Sequence, residues 1–257
     1  MYFWKLVAEV IDKADIILFI ADARMPELSQ HKDFEDLFSR ALVNSETPKE
    51  KVLVFNKMDL VSAERLKELK KSFPEAFFVS AINNLGIAEL RRYIHILGKR
   101  MKRNFPKIGV VGYPNIGKSA LINVLARRAR TRVSDKPGTT RGIQWVKAGS
   151  LRILDTPGVI PLKVREDELA LIGSKRAEKI SHPDKLALKI ISIIKKDDPV
   201  ILNKRYGLLE IEIEKEPWEI LEIIGRKRGF LSKGGVVNEM KTALMIVHEW
   251  QKGKLRV

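Results

Sequence analysis

Residues 112–119 (GYPNIGKS) combine two glycines, a lysine and a serine at the spacing of a phosphate-binding loop. Glycines let a backbone wrap around a phosphate with its N–H groups turned inward, and the N-terminus of a following helix favours anions. In this pattern Lys118 brings positive charge to the β- and γ-phosphates, and the Ser119 hydroxyl is a ligand for Mg²⁺. An apolar run precedes the motif and a helical pattern follows it, so a chance glycine-rich turn is a poor explanation. The predicted phosphate contacts are Gly112, Pro114, Asn115, Ile116, Gly117, Lys118, Ser119 and Ala120.

A second motif, Asn-Lys-Met-Asp, carries groups that distinguish guanine from adenine. The Asp59 carboxylate can accept hydrogen bonds from the ring N–H and the exocyclic amine of guanine. Adenine lacks this pair of donors and would leave the carboxylate unpaired. Asn56 would contact the other edge of the purine, and the aliphatic part of Lys57 would pack over the ring. Ser80 and Ala81 follow the next predicted strand, and the Ala81 N–H can donate to the guanine carbonyl.

A third motif, Asp-Thr-Pro-Gly, follows a predicted strand at residues 151–154. Asp155 at the end of a strand can hold the hydration shell of Mg²⁺, and the Gly158 N–H can contact the γ-phosphate. Asp-x-x-Gly is a common turn by itself, so its weight comes from its occurrence together with the phosphate-binding motif.

Helical and strand patterns alternate along the first two-thirds of the chain. Apolar runs predict buried strands at 16–21, 51–55, 76–79, 108–111, 145–147 and 151–154. Helical spacing predicts helices at 3–13, 32–43, 62–72, 86–103 and 119–128, with Ser62 as an N-cap. This alternation predicts an α/β layer with a mostly parallel sheet, whose strand ends carry the three motifs.

Helical patterns dominate the last third of the chain. They predict helix over most of 164–196 and over 217–228 and 235–252. Residues 209–214 alternate as in a strand, although an irregular connection can have the same pattern. We therefore predict two domains, an α/β domain at 1–165 and a small all-α domain at 166–257.

Composition narrows the partners and the compartment. Lys and Arg total 48 and Asp and Glu total 32, a formal charge of 48 − 32 = +16, which suggests nucleic acid or a membrane surface as partner. Residues 98–107 hold five positive and no negative side chains, which fits either a solvated helix end or a binding role. The chain has no cysteine, which excludes disulfides, thiolate metal sites and cysteine nucleophiles and fits a cytoplasmic setting. No apolar run approaches the ~20 residues of a membrane span. No amphipathic membrane helix is recognised in the sequence either, so we expect nucleic acid rather than a membrane surface as partner.

The motifs resemble those of guanine-nucleotide-binding domains of the translation-factor class, but their order differs. Here Asn-Lys-Met-Asp and Ser-Ala precede the phosphate-binding motif, and Asp-Thr-Pro-Gly comes last. This order is similar to that of the circularly permuted GTPases of ribosome assembly, of the YlqF/RbgA type. Further resemblance lies in Asp22-Ala-Arg24, in Pro-Gly-Thr-Thr at 137–140, in Gln144-Trp145, in Arg205-Tyr206 and in residues 224–229. The resemblance implies a circularly permuted P-loop NTPase domain followed by a small all-α domain.

The resemblance also assigns roles at the phosphates. Thr140 matches the switch threonine of these GTPases, which implies a further hydroxyl ligand to Mg²⁺. Asn115 matches an asparagine that helps to bind K⁺ beside the phosphates in potassium-stimulated GTPases, so K⁺ stimulation is expected. Val159 stands where many GTPases carry a glutamine that orients water, and His31 lies in a polar stretch typical of a loop. Slow intrinsic hydrolysis, completed by a partner, is therefore expected.

The resemblance implies a GTPase that acts as a switch in assembly of the large ribosomal subunit. Its partners would be GTP, GDP and the ribosomal subunit or its rRNA, and the expected oligomeric state is a monomer. Candidate RNA-binding residues in the C-terminal domain are Arg226, Lys227, Arg228, Lys233 and Lys254. Ordinary charges at a helix end explain Arg226–Arg228 equally simply. The alternative function is a GTP-gated RNA-binding module with little turnover, acting on non-ribosomal RNA.

Overall fold

The structure is a computed structural model that describes residues 2–29, 32–43, 45, 47–126, 144–148, 151–155 and 164–257. The strands are β1 Ile16–Asp22, β2 Glu50–Asn56, β3 Phe77–Phe78, β4 Lys107–Gly112, β5 Gln144–Ala148 and β6 Leu151–Asp155. The first helices are α1 Tyr2–Lys13, α2 Pro26–Ser29, α3 Lys32–Val43, α4 Ala63–Ser72, α5 Ile87–Arg100 and α6 Lys118–Ala126. They are followed by α7 Glu166–Leu171, α8 Pro183–Asp197, α9 Val200–Tyr206, α10 Glu210–Ile213, α11 Pro217–Lys227 and α12 Glu239–Gln251. Short 3₁₀ helices occupy Met58–Leu60 and Ala177–Lys179.

Six described strands form one sheet in the order β3-β2-β1-β4-β6-β5. Five of them run parallel, and β5 pairs antiparallel with β6. β1 lies at the centre, and all seven of its residues are buried, because helices cover both faces of a parallel sheet. The predicted α/β layer with a mostly parallel sheet is confirmed.

Helix α5 shows how the surrounding helices meet this sheet. Its buried positions, Ile87, Leu90, Ile94 and Leu97, recur at helical spacing and form one apolar face. Arg91 on the same helix donates from Nη2 to the carbonyls of Val124 (2.9 Å) and Leu125 (3.0 Å) near the end of α6. This contact joins α5 to α6 through backbone carbonyls of α6.

The described residues cluster into two compact units. One comprises 1–59 and 70–163, and the other comprises 60–69 and 164–257. The second unit therefore includes most of α4, which the predicted division near residue 165 did not anticipate. The Val257 N–H donates to the Leu60 carbonyl (2.9 Å), and the Ser62 N–H donates to the Val257 carbonyl (2.5 Å). Ser62 Oγ also accepts the Arg65 N–H (3.3 Å), so this residue caps α4 as predicted.

The core of the second unit is built by α8, α11 and α12. Ile190, Ile194 and Ile246 are fully buried, as is Trp250, whose Nε1 donates to the Leu171 carbonyl (2.7 Å). A buried polar cluster supports this core. Glu249 accepts hydrogen bonds from Tyr206 Oη (2.9 Å) and Arg205 Nε (3.0 Å), as expected for a carboxylate held away from water.

In the last third of the chain, the structure decides one pattern that the sequence left open and corrects one helix boundary. Where the sequence left a strand or an irregular connection open at 209–214, the structure has the short helix α10, Glu210–Ile213. The Glu212 carboxylate accepts the Leu209 N–H (2.7 Å) at its start. The final helix begins at Glu239, not at residue 235. The preceding segment is a turn with a β-bridge between Leu231 and Val237, and Asn238 accepts the Lys241 N–H as N-cap (3.0 Å). No helix in the described part of the chain is long and apolar enough to span a membrane.

Candidate nucleotide-binding site

Adjacent parallel strands bring the sequence motifs to one edge of the sheet. In sheet order, the strand ends supply Ser80 after β3, Asn56 on β2, Asp22 on β1, Gly112 on β4 and Asp155 on β6. The register pairs Asp22 with Asn56, Ile20 with Gly112 and Val110 with Asp155. The carboxyl ends of parallel strands are the usual position of ligand sites in such folds. The permuted order of the motifs along the chain thus converges on one site.

The phosphate-binding motif forms a tight loop between β4 and α6. Lys118 is buried, and its Nζ donates to the carbonyls of Gly112 (3.1 Å) and Tyr113 (2.7 Å). Gly117 has φ +102°, and a Cβ there would lie 2.1 Å from Asn56 Nδ2, so only glycine fits. Asn115 also has a positive φ, +57°, and its side chain is exposed at the outer turn of the loop. Pro114 and Ala120 are half-buried, and Ile116 is buried.

Asn56 joins the two halves of the site. Its Nδ2 donates to the Ile116 carbonyl (3.0 Å), and its Oδ1 accepts the Ala81 N–H (3.0 Å). The side chain is buried, so both hydrogen bonds are shielded from water. Sequence reasoning assigned Asn56 to the purine edge. In the structure, its amide fastens the phosphate-binding loop to the loop at Ser80-Ala81.

The loops around the predicted guanine position are fixed by backbone hydrogen bonds. The Met58 N–H donates to the Val79 carbonyl (3.1 Å), and Ser80 and Leu85 exchange N–H···O bonds of 3.0 and 3.1 Å. Asp59 lies in the 3₁₀ helix after β2 and is half-buried. No described residue forms a hydrogen bond with its carboxylate, whose oxygens can therefore accept from a base.

Lys57, which the sequence predicts to pack over the purine ring, lies in an ion-paired cluster with Asp22 and Arg24, two residues that sequence reasoning did not assign to the site. Its Nζ donates to Asp22 Oδ2 (2.7 Å), and Arg24 binds the same carboxylate through Nε (3.1 Å) and Nη2 (2.9 Å). Asp22 and Arg24 are 0% and 1% exposed. The available signal was an Asp at the end of a continuous apolar run with an Arg two residues later.

Burial and charge compete within this cluster. Burial raises the pKa of Asp22, but attraction to Arg24 and Lys57 outweighs it and holds that pKa well below its usual range. Burial lowers the pKa of Lys57, and attraction to Asp22 opposes this effect. Lys57 also has φ +66°, a conformation that costs a non-glycine residue about 1–2 kcal/mol. The ion pair therefore holds a strained residue in place beside Asp59.

The predicted Mg²⁺ ligands are only partly described. Ser119 is exposed in the first turn of α6. Asp155 is the last residue of β6 and pairs with Val110 of β4, which precedes Gly112 by two residues. A hydroxyl and a carboxylate at the same edge are the oxygen donors that Mg²⁺ prefers, so these residues fit the ion. Thr140 and Gly158 lie outside the described residues, as do Val159 and His31.

The predicted RNA-binding residues of the second unit are mostly engaged in contacts with their own unit. Arg226 pairs with Glu222 (2.8 Å) and Lys227 with Glu212 (2.7 Å), while Arg228 donates to the Arg205 carbonyl (3.0 Å). Two further candidates, Lys233 and Lys254, are exposed. Their role in RNA binding stays a prediction.

Comparison with known proteins gives the family. A family profile described as RsgA GTPase matches residues 5–165, and one described as 50S ribosome-binding GTPase matches residues 107–224. Ribosome biogenesis GTPase A of Bacillus pumilus is 30% identical over 261 residues, which cover 95% of this chain and 89% of that protein. The chain belongs to the circularly permuted GTPases of the YlqF/RbgA type.

Solved YlqF structures share the fold of this permuted GTPase. The crystal structure of GNP-bound YlqF from T. maritima has a TM-score of 0.61 and 25% identity, and covers 99% of this chain and 95% of that one. An uncharacterized GTP-binding protein of Methanocaldococcus jannaschii is 38% identical over 98% of the chain, and nucleolar GTP-binding protein 2 of Saccharomyces cerevisiae is 31% identical over 98%. The permuted GTPase spans 65% and 52% of the lengths of these two relatives.

Replacing Asp22 by Asn should lower the pKa of Lys57 further, because the carboxylate opposes the effect of burial. A lysine whose pKa is lower in the folded than in the unfolded state binds fewer protons when folded. The free energy of unfolding therefore rises with pH between the Lys57 pKa of the folded state and that of the unfolded state. The substitution lowers the folded-state pKa and so extends this pH range downward. Two buried cations would lose their counter-ion, so the free energy of unfolding should fall by about 3–5 kcal/mol.

The measurements are a pH titration of the Lys57 Cε chemical shift and urea denaturation at several pH values. Asp59→Asn is the matched control, because Asp59 raises the pKa of Lys57 less than Asp22 does. Equal shifts of the Lys57 pKa in the two variants would contradict the assigned pairing.

Proposed function

We propose that this chain binds GTP with Mg²⁺, hydrolyses it to GDP and phosphate, and uses the cycle as a switch in assembly of the large ribosomal subunit. One observation carries the nucleotide part of this proposal. Asn56 donates to the Ile116 carbonyl and accepts the Ala81 N–H, and so joins the loop predicted to bind phosphate to the loop predicted to read guanine at one edge of the sheet. Family membership supports the same activity.

Each residue of the site would act on a different part of the nucleotide. Lys118 would exchange its contacts with the Gly112 and Tyr113 carbonyls for the β- and γ-phosphate oxygens, where positive charge stabilises the transition state. Backbone N–H groups of the loop and the first turn of α6 would bind the phosphates. Asp59 would accept the two guanine donors, and the Ala81 N–H would donate to the guanine carbonyl.

The Mg²⁺ site would be formed by Ser119, Thr140 and Asp155. A bound Mg²⁺ neutralises charge on the β- and γ-phosphate oxygens. Ser119 and Thr140 would supply hydroxyl ligands directly, and Asp155 would orient the hydration shell. Gly158 would contact the γ-phosphate through its N–H. Since Val159 cannot orient a water molecule, intrinsic hydrolysis would be slow, with the attacking water positioned by a partner.

The proposed partner is the large ribosomal subunit or its rRNA. Relatives are named ribosome biogenesis GTPase A and nucleolar GTP-binding protein 2. The charge of +16 favours a polyanion. A monomer in the cytoplasm is the proposed working form. A GTP-gated RNA-binding module with little turnover, acting on non-ribosomal RNA, is the alternative, favoured by Val159.

Guanine selection can be tested with Asp59→Asn. The amide would keep one acceptor but would present a donor toward the guanine amine, so affinity for GTP should fall by at least about 100-fold. Xanthosine triphosphate carries a carbonyl at that position and should bind the variant better than it binds the original chain. Titration calorimetry with both nucleotides measures the change. Lys67→Gln on the exposed face of α4 is a control, and unchanged GTP affinity in Asp59→Asn would contradict the role of Asp59.

Potassium stimulation is a separate part of the proposal. Asn115 is exposed at the outer turn of the phosphate-binding loop, where a side-chain carbonyl can coordinate K⁺ beside the phosphates. Single-turnover hydrolysis should therefore be faster in KCl than in NaCl, and Asn115→Ala should remove the difference. Equal rates for the unsubstituted chain in the two salts would refute this part alone.

The ribosomal role is tested by cosedimentation with each ribosomal subunit in GDP and in a non-hydrolysable GTP analogue. We expect the analogue to increase pelleting with the large subunit, and hydrolysis to accelerate when that subunit is added. Nucleotide-independent pelleting would refute the switch. Nucleotide-dependent binding to free RNA without accelerated hydrolysis would favour the alternative function.

A further inference from the structure

Helix α5 and the turn after it expose positive charge that no described carboxylate neutralises. Residues 90–107 contain seven Lys and Arg and no Asp or Glu. Two of these cations have structural contacts, because Arg91 bonds to the end of α6 and Arg103 lies 3.4 Å from Asp15. Four others, which form what we call the α5 cationic face, are exposed and have no ion pair within the described ranges. They are Arg92, Lys99, Arg100 and Lys102.

Five cations of the second unit differ from this face because each has a carboxylate partner. Ion pairs of 3.1 Å or less join Arg165 and Lys189 to Asp167, Lys175 to Glu166, Lys227 to Glu212 and Arg226 to Glu222. A paired cation must give up its partner before it binds a phosphate, whereas an exposed unpaired one only exchanges water and counter-ions. The α5 cationic face can therefore bind a polyanion without breaking an ion pair, whereas these five paired cations cannot.

The geometry of α5 favours RNA over a lipid surface. A helix binds a membrane by burying its apolar face among lipids, but the apolar face of α5 is already buried within the protein. Its solvent side carries the cations along about 12 Å of helix between Arg92 and Arg100, long enough to contact more than one phosphate of a strand. Beyond the helix, the Phe105 ring is 57% exposed and can stack on an unpaired base.

The turn after α5 holds Lys102 in an unfavourable backbone conformation. Its φ is +56°, where glycine or asparagine is usual at the end of a helix. The Lys102 N–H donates to the Lys99 carbonyl (3.0 Å), and the Arg103 N–H donates to the Gly98 carbonyl (2.8 Å). Glycine adopts this conformation without strain, so Lys102 makes the folded state less stable than glycine would, while it adds a positive charge to the surface.

We propose that the α5 cationic face binds a single-stranded segment of RNA through its phosphates, with Phe105 stacking on one base. This face belongs to the GTPase unit and is separate from the residues predicted to bind RNA in the second unit. The choice of RNA as partner rests on the proposed function, whereas the location of the contact rests on charge, exposure and pairing.

The test compares two triple variants of the full chain that remove the same charge. The first, K99Q/R100Q/K102Q, alters the α5 cationic face. The second, K67Q/K70Q/K71Q, removes three exposed lysines from α4, where Glu64 and Glu68 are interspersed. Binding of a labelled RNA of about 12 nucleotides is followed by anisotropy between about 50 and 200 mM KCl. The α5 triple should lose at least about tenfold in affinity and about two units of the log–log salt slope, whereas the α4 triple should change little.

Two single substitutions separate binding from folding. Lys102→Gly should raise Tm by about 2–4 °C, because it relieves the left-handed conformation, yet it should weaken RNA binding. Phe105→Leu should lower affinity by about five-fold or more without changing the salt slope, because stacking does not involve counter-ion release. Loss of affinity in a variant that is more stable than the original chain cannot result from unfolding.

Three outcomes would overturn the proposal. They are equal losses of affinity in the two triples, an unchanged salt slope in the α5 triple, and loss of binding to anionic vesicles without loss of RNA binding. GTP affinity and single-turnover hydrolysis are measured on the same samples and should be unaffected in both triples. An original chain that fails to hydrolyse GTP would refute the proposed function, while the RNA comparison would still decide this inference.

Discussion

The Asn56 side chain makes two hydrogen bonds on which the geometry of the nucleotide site depends. It joins the Ile116 carbonyl, within the phosphate-binding loop, to the Ala81 N–H, within the loop after β3. These loops lie at strand ends separated in the sheet by β2 and β1, so β-ladder hydrogen bonds alone do not link them. Gly117 leaves the space that this amide occupies, since a Cβ would lie 2.1 Å from Asn56 Nδ2. The distance between the groups predicted to read the base and those predicted to bind the phosphates is thus set by hydrogen bonds inside the protein.

Much of this site could be predicted because its chemistry is local in sequence. The phosphate-binding motif, Asp59 and the Ser80-Ala81 pair each lie within a few residues of a strand end, and short apolar runs bounded by turn residues indicate such strands. The ion pair between Asp22 and Lys57 could not be predicted in the same way. It joins residues 35 positions apart, and it becomes visible only when the register of β1 and β2 is known. Short-range alternation also left residues 209–214 open between a strand and an irregular connection, and the structure has a single helical turn there, Glu210–Ile213.

Several cations of the second unit have carboxylate partners, whereas most cations exposed on α5 and the turn after it have none among the described residues, although the sequence spreads positive charge over both units. In the second unit, carboxylates and cations form pairs that hold short helices together, as Lys227 does with Glu212. Residues 90–107 contain no Asp or Glu, and within the described part of the chain the four cations of the α5 cationic face have no ion pair. Net charge alone cannot separate these cases, because a paired and an unpaired lysine count equally in the sum. The separation requires knowledge of which side chains face each other.

The assignment of residues 60–69 to the second unit has a consequence for how the chain can be divided. The 3₁₀ helix Met58–Leu60 begins in one unit and ends in the other, directly after Asp59. Its last residue accepts a hydrogen bond from Val257, nearly two hundred positions away in sequence. A truncation near residue 163 would keep the sequence motifs at 56–59, 80–81, 112–119 and 155–158. It would remove Val257, whose N–H donates to the Leu60 carbonyl. Each compact unit is therefore built from two separate stretches of the chain, and a single cut cannot release either unit whole.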